Sequence, residues 1–279
     1  DEQAGSSSGL TDKYLTSIKT GRTMQEIAGG KKAKELASYR KAVDRSQRAG
    51  GDHPKPNGKP TARPASASRK RSGKAKPPAF REPQKATLVD SVPSGSGWIH
   101  EMKYDGYRCL LGIGGGEAKI YTRSGLDWSD KFPEIVEAAR SLDVESALID
   151  GEIVKLDGQG NTGFSALQQA ISEGGTGLSL FVFDLLELDG EDFAKLPNIE
   201  RKQRLASLIG DGRPPFILYA DHIVGQGEKL YVAMCAAGQE GIISKRADAP
   251  YRGARTKAWL KIKCVLRQEF VIVGWTPSE

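Results

Sequence analysis

The chain has 279 residues, of which 38% are hydrophobic, and a formal net charge of +6. This length suffices for one large or two small domains with a buried core. The sequence has no apolar run of about 18 residues and no charged-then-apolar N-terminal segment, so we expect neither a membrane span nor a secretory signal. Three cysteines without CxxC or zinc spacing favour a reducing, cytoplasmic location.

The positive charge is concentrated near the N-terminus. Residues 31–85 contain 17 Lys and Arg against 4 Asp and Glu, whereas residues 86–279 contain 21 against 27. Residues 50–79 are rich in Pro, Gly, Ser and Ala, and such a segment buries too little apolar surface to offset the entropy lost on ordering. We therefore expect residues 1–79 to form a largely disordered basic extension that serves as a solubilising spacer, with a salt-sensitive attraction to phosphate as its alternative role.

Strand-like and helix-like segments alternate from about residue 80 onward. Apolar patterns predict nine strands, over residues 98–102, 107–113, 117–123, 147–154, 178–186, 216–219, 241–245, 259–263 and 269–275. Helical spacing predicts helices over residues 132–142, 164–171, 198–209 and 230–237. Short connections favour antiparallel sheets flanked by helices, an α+β fold, over a doubly wound parallel sheet. The glycine-rich run 112–116 lies between two strands, so we do not predict a phosphate loop there.

The segment Lys103-Tyr104-Asp105-Gly106-Tyr107-Arg108 lies between the first two predicted strands. An Asp-Gly pair between alternating apolar residues is typical of a β-hairpin, and in a hairpin Lys103 is a solvated edge residue. Because short motifs often match by chance, the later segments decide whether Lys103 has another role.

Several later segments place charged or aromatic residues in or beside predicted strands. The carboxylates of Asp150-Gly151-Glu152 need partners or solvent, because an unpaired buried carboxylate is too costly. Period-two spacing puts Lys261 and Lys263 on one strand face, where a bound anion would relieve their repulsion, although a solvated face is the simpler alternative. The other segments are the loop Arg123-Ser124-Gly125, the core-like strand with Phe183, and the segment from Glu240 to Lys245.

Taken in order, these segments resemble the motifs of the covalent nucleotidyltransferases, over about residues 80–275. The resemblance is greatest to bacterial ATP-dependent DNA ligases of the end-joining type. It implies an ATP-grasp-like covalent nucleotidyltransferase fold, with an adenylation domain over residues 80–265 and the start of a truncated OB domain over residues 266–279. Because family members carry a complete OB domain, we expect this chain to adenylate itself and to seal nicks only weakly.

The same resemblance implies roles for individual residues. Lys103 is the catalytic nucleophile that carries AMP, and nearby cations with a partly desolvated pocket favour loss of its ammonium proton. Glu152 and Glu240 are the candidate ligands for Mg²⁺ or Mn²⁺. The predicted nucleotide-binding residues are Glu101 at the adenine amino group, Met102, Arg108 at the ribose or the 3′ side, Arg123 and Lys245 at phosphate, Glu152 at the ribose, Phe183 stacked on the purine, and Lys261 and Lys263 at the α-phosphate.

The implied substrates are ATP and nicked or broken double-stranded DNA. AMP passes from ATP to Lys103, then to the 5′-phosphate of the nick, and is finally displaced by the 3′-hydroxyl. The resemblance also implies fused polymerase or phosphoesterase modules, an end-binding partner and a nucleoid-associated location. The alternatives are an RNA ligase, a GTP-dependent capping nucleotidyltransferase, and an inactive nucleic-acid-binding module.

Overall fold

A computed structural model of the protein describes residues 75–157, 162–209 and 214–264. Most of the predicted basic extension, the predicted strand over residues 269–275 and the predicted OB segment over residues 266–279 lie outside these ranges.

The described residues form two sheets and four α-helices. The strands are β1 (Lys85–Leu88), β2 (Trp98–Met102), β3 (Tyr107–Gly114), β4 (Glu117–Thr122), β5 (Ser146–Val154), β6 (Ser179–Leu188), β7 (Glu191–Asp192), β8 (Ile217–Tyr219), β9 (His222–Val224), β10 (Gly241–Arg246) and β11 (Arg255–Lys263). The helices are α1 (Pro133–Arg140), α2 (Phe164–Ser172), α3 (Asn198–Ile209) and α4 (Gly227–Ala236), with a short 3-10 helix at Ser129–Lys131. None of these helices is long and apolar enough to cross a membrane.

The two sheets are almost entirely antiparallel. One has the strand order β1-β11-β10-β2-β9, and the other has the order β4-β3-β5-β6-β7 with β8 beside β6. Among the described strands, only the pairs of β1 with β11 and of β6 with β8 are parallel. The predicted α+β class is confirmed, as are all four helices and eight of the nine predicted strands. The sequence patterns missed β1, β7 and β9, which have four, two and three residues and are too short for a clear alternation.

Alternation along the central strands divides the apolar residues between two cores. Leu111 and Ile149 belong to one core with residues of α1, α2 and α3. Leu110 and Leu148 point the other way, into a core that includes residues of both sheets and of α4. Successive strand residues face opposite sides, so β3 and β5 contribute to both cores. The side chains of β3 and β5 on the same face as Leu110 and Leu148 therefore lie between the two sheets.

A buried ion pair joins β6 to α3. Arg201 donates from Nε and Nη2 to the two carboxylate oxygens of Asp184, over 2.7 and 2.8 Å, and both side chains are fully buried. Asn198 donates to the same carboxylate over 3.1 Å. Such a pair holds its geometry because each charge would otherwise be left uncompensated away from water.

A disulfide joins Cys235, at the C-terminal end of α4, to Cys264, the residue after β11. The wide sequence spacing of the three cysteines gave no indication of this bond. Cys109 is a free thiol buried in β3. The disulfide therefore fixes the end of β11 to the helix that packs on β10.

Candidate active site

Lys103 lies at a crossing between the two sheets. The strand before it, β2, pairs with β9 and β10, whereas the strand after it, β3, pairs with β4 and β5. The hairpin interpretation of the Asp-Gly pair is therefore wrong, because β2 and β3 do not pair. Gly106 is needed for close packing: a Cβ there would lie 2.1 Å from the carbonyl oxygen of Ile153. The chain thus passes tightly over β5 and delivers Lys103 between the sheets.

A cavity surrounds the side chain of Lys103. It is lined from one sheet by residues of β1, β2, β10 and β11, and from the other by residues of β3, β5 and β6. Nine of the residues predicted to form the site line this cavity: Glu101, Met102, Lys103, Arg108, Arg123, Glu152, Phe183, Lys245 and Lys261. These seven strands are spread from residue 85 to residue 263, and only the fold brings their side chains together.

The other two predicted residues reach the site through an ion-pair chain. The Lys103 ammonium group contacts Oε2 of Glu240, and Lys263 Nζ lies 3.0 Å from Oε1 of the same carboxylate. Burial raises the pKa of Glu240, but hydrogen bonds from Lys103 and Lys263 outweigh this effect and lower it. Lys103 is about four-fifths buried, with a side-chain exposure of 20%. The predicted nucleophile is therefore held in place between charged groups and does not point into bulk solvent.

Positive charge around the cavity also affects Lys261. Desolvation lowers the pKa of Lys261, and repulsion from Lys263 and Arg255 lowers it further. An anion bound between these cations would relieve that repulsion. Lys261 and the exposed Arg123 both lie on the cavity wall, whereas Lys263 reaches the site through Glu240. Anion binding between Lys261 and Lys263 stays a prediction.

The acidic segment of β5 supplies two carboxylates with different environments. Asp150 is fully buried and accepts two hydrogen bonds of 2.6 Å from Arg108 and one of 2.7 Å from Tyr251. Glu152 is half-buried on the cavity wall, and no cation among the described residues forms an ion pair with it. Burial raises the pKa of Glu152 to about 7. Asp150 thus fixes Arg108, while Glu152 is left available to a ligand.

Glu152 gives the folded protein a measurable pH dependence. Its pKa of about 7 lies above the usual 4.5, so the folded state retains a proton that the unfolded state has lost between these values. This contribution to stability is complete below pH 4.5 and is lost as the pH rises through 7. In the presence of a chelator, we expect Glu152→Gln to gain about 2 kcal/mol relative to wild type between about pH 5 and pH 8.

Urea unfolding at the two pH values measures this difference. Glu137→Gln on the exposed surface of α1 is the matched control, because its carboxylate has a side-chain exposure of 77%. If Glu152→Gln and Glu137→Gln show the same pH dependence, Glu152 ionises normally in the folded protein.

Glu101 is a buried residue of the cavity wall and lies between two lysines. Its carboxylate lies 2.7 Å from Lys202 Nζ and 2.7 Å from Lys245 Nζ, and all three side chains are at most 3% exposed. Burial lowers the pKa of Lys245 to about 8. Burial would also lower the pKa of Lys202, but Glu101 raises it to about 12. The sequence predicts that Glu101 contacts adenine and that Lys245 contacts phosphate. In the folded protein these two side chains already form an ion pair with each other. Lys202 was not predicted, because nothing near it in sequence marks it as different from a surface helix lysine.

Aromatic rings and cations alternate on the cavity wall. Lys245 Nζ lies 4.4 Å from the ring centroid of Phe183 and 4.2 Å from that of Trp259. The Arg108 guanidinium lies 4.7 Å from the Phe183 centroid. Trp259 and Ile243 line the cavity but were not predicted. The available signal was strand alternation, since Trp259 shares a face with Lys261 and Ile243 shares one with Lys245.

The donor set for a metal ion is small. Within the described ranges, no group of three or more His, Cys, Asp and Glu side chains is arranged to hold an ion. A half-buried carboxylate with a raised pKa is nevertheless a suitable oxygen donor for a hard cation, because the cation would stabilise its ionised form. Glu152 meets this condition, whereas Glu240 is already neutralised by Lys103 and Lys263.

Known proteins share this arrangement of the chain. A family model described as an ATP-dependent DNA ligase domain matches residues 83–263. The chain is 38% identical, over 218 residues, to the multifunctional non-homologous end joining protein LigD of Pseudomonas aeruginosa, covering 78% of this chain and 26% of that protein. It is 32% identical, over 185 residues, to the multifunctional non-homologous end joining DNA repair protein LigD of Mycobacterium tuberculosis, covering 66% of this chain and 24% of that protein.

Solved structures show the same fold. The ligase domain of M. tuberculosis LigD superposes with a TM-score of 0.56 at 28% identity, covering 65% of this chain and 58% of that chain. A mycobacterial DNA ligase D complexed with ATP and MES gives the same TM-score and identity, covering 65% and 59%. The chain spans about a quarter of the length of the curated relatives. Since the family model covers more than half of its residues, this chain belongs to the ATP-dependent DNA ligases and contains their adenylation domain.

Proposed function

We propose that this chain forms a covalent lysyl-AMP intermediate at Lys103 and passes the AMP to the 5′-phosphate of a nicked or broken DNA duplex. The observation that carries the proposal is the position of the Lys103 amine. It lies in a cavity between two sheets, touches Glu240, and shares that cavity with Glu152 and Lys261. A structural lysine would not need this convergence of charged groups from both sheets.

The proposed first step is a nucleotidyl transfer. The lone pair of Lys103 Nζ forms a bond to the α-phosphorus of ATP, and the bond from that phosphorus to the bridging oxygen breaks, so pyrophosphate leaves with the electron pair. The amine must first release its ammonium proton to solvent water, while the contact with Glu240 holds the group in the cavity. Lys261 on the cavity wall, and Lys263 beside it through Glu240, are proposed to balance negative charge on the α-phosphate.

Phe183 and Ile243 offer apolar surface to the base from opposite sheets. Base stacking on an aromatic ring tolerates any base, so discrimination between purines needs polar contacts as well. Glu101 at the cavity wall is the proposed polar group for the adenine amino group, Met102 completes the wall beside it, and Lys245 is proposed at phosphate. Arg108, fixed by Asp150, is proposed to contact the ribose or the 3′ side.

We propose Mg²⁺ or Mn²⁺ as the metal cofactor. Glu152 is the residue that fits it best, with Glu240 joining once Lys103 has lost its positive charge. When bound, such an ion supplies positive charge to the phosphate oxygens.

The DNA partner and any further modules are also proposals. Arg123, Lys85 and Arg255 line the cavity and are suited to hold a DNA phosphate. The relatives named above are multifunctional end-joining proteins, which supports a break-repair role, fused polymerase or phosphoesterase modules and recruitment by an end-binding protein. A cytoplasmic, nucleoid-associated location is part of the same proposal.

Incubation with ATP or GTP labelled at the α-phosphate tests the chemistry. We expect ATP alone to label the protein, and peptide mapping to place AMP on Lys103. A DNA nick should then discharge the adduct faster than an RNA nick of the same sequence. Equal labelling by GTP would favour a capping nucleotidyltransferase, preference for the RNA nick would favour an RNA ligase, and label on another residue would contradict the proposal.

A further inference from the structure

The glycine-rich run of residues 112–116 is not part of the cavity, yet it has a clear structural partner. Residues 75–82, which we call the strap, cross it. A Cβ at Gly114 would lie 2.4 Å from the carbonyl oxygen of Lys76, and one at Gly112 would lie 3.3 Å from that of Pro78. Neither glycine has a positive φ, so the local backbone of β3 does not require glycine there. The absence of side chains is instead what admits the strap backbone to the sheet.

Side-chain contacts hold the strap on both sides of this crossing. Tyr121 donates a hydrogen bond of 3.3 Å to the carbonyl oxygen of Pro78. The ring of Phe80 packs edge-on against Tyr121, with centroids 6.2 Å apart. Arg81 pairs with Glu187 and Asp192 at 3.0 and 2.9 Å, which ties the strap to β6 and β7. These contacts come from elements that are distant in sequence, so docking of the strap depends on the folded sheet.

The strap leads directly into the cavity wall. Pro83, Gln84, Lys85 and Ala86 all line the cavity. Gln84 is fully buried: its N–H donates to the Tyr251 hydroxyl over 2.9 Å, and its carbonyl oxygen accepts from Arg108 over 3.2 Å. Tyr251 and Arg108 both donate to Asp150. A displacement of the strap would therefore be transmitted through Gln84 to the groups that fix Arg108.

We propose that the strap is a positioning element of the nucleotide site, docked in a glycine cradle at Gly112 and Gly114 so that Gln84 and Lys85 are fixed on the cavity wall. The strap lies before residue 83, where the match to the ligase family begins. The expected effect of the strap on ATP affinity rests on the proposed function. Its effect on the position of residues 83–86 does not. The glycines and the strap thus position part of the cavity wall, whereas the proposed catalytic residues belong to other parts of the chain.

Gly114→Ala in the full chain tests the cradle, because the added methyl group would meet strap backbone first. We expect amides of residues 75–86 to exchange with solvent faster, including the Lys85 N–H that donates to Ala254 over 3.0 Å. We also expect the Kd for ATP to rise about tenfold, with little change in the adenylation rate at saturating ATP. Gly97→Ala is the matched control, since a Cβ there meets no atom within 4 Å.

Phe80→Ala approaches the same contact from the strap. If Gly114→Ala and Phe80→Ala both detach the same strap from β3, their effects should not add. The double variant should then bind ATP no more weakly than whichever single variant has the higher Kd. Three results would overturn the proposal: faster exchange that stops before residue 83, faster exchange of residues 83–86 without loss of ATP affinity, or multiplicative effects in the double variant. If wild-type protein binds no ATP, the proposed function fails, and exchange at residues 83–86 still decides whether the strap positions the wall.

Discussion

Replacing Lys103 with arginine is expected to abolish the AMP adduct, lowering its rate of formation by at least about a thousandfold. Arginine keeps the positive charge that contacts Glu240, so the ion pair is preserved. The guanidinium group stays protonated at every usable pH and has no lone pair to form a bond to phosphorus. The arginine substitution therefore removes the nucleophile and keeps the positive charge, whereas an alanine substitution would remove both.

Transfer of label from ATP, measured in single-turnover conditions, gives the rate. Lys119→Arg is the matched control, because Lys119 also forms an ion pair, 3.2 Å from Asp127, but lies on β4 outside the cavity with a side-chain exposure of 42%. Its adduct should form at the wild-type rate. An adduct on Lys103→Arg at a rate close to wild type would place the nucleophile elsewhere and remove the central element of the proposed function.

Replacing Arg201 with methionine is expected to cost about 3 to 5 kcal/mol in the free energy of unfolding. The substitution leaves the carboxylate of Asp184 fully buried with Asn198 as its remaining side-chain donor. A buried charge without its counterion is far less favourable than the same charge in water. Urea unfolding measures the loss, and the adduct on Lys103 should still form in the fraction that remains folded.

Two further variants show whether the effect comes from burial. Arg140→Met removes an arginine from a pair of similar length, 3.0 Å from Glu137, but these side chains are 47% and 77% exposed, so stability should not change measurably. Combining Arg201→Met with Asp184→Asn should recover part of the loss, because the uncompensated charge is removed. Equal losses of unfolding free energy in the Arg201 and Arg140 variants would show that the buried ion pair stabilises the fold no more than the exposed one.

The predicted elements agree closely with the observed ones where the apolar pattern is long. Strand β2 begins and ends at the predicted residues, and α3 runs from Asn198 to Ile209 as expected. Short edge strands such as β9 were missed, because three residues are too few to show a period of two. The disulfide was missed for another reason: Cys235 and Cys264 meet only because α4 packs beside the strand that pairs with β11.

The sequence by itself determined the order of the motifs and the faces of strands such as β11, because these depend on residue type and local period. The choice of Lys103 as the candidate nucleophile came from the resemblance of those motifs to the covalent nucleotidyltransferases. The tertiary structure alone decided which charges pair. Glu240 contacts Lys103 and Lys263, whereas Glu101 is held by Lys202 and Lys245. It also turned an apparent hairpin at Gly106 into a crossing between sheets. Such pairings depend on which distant strands become neighbours, and no local pattern of residues contains that information.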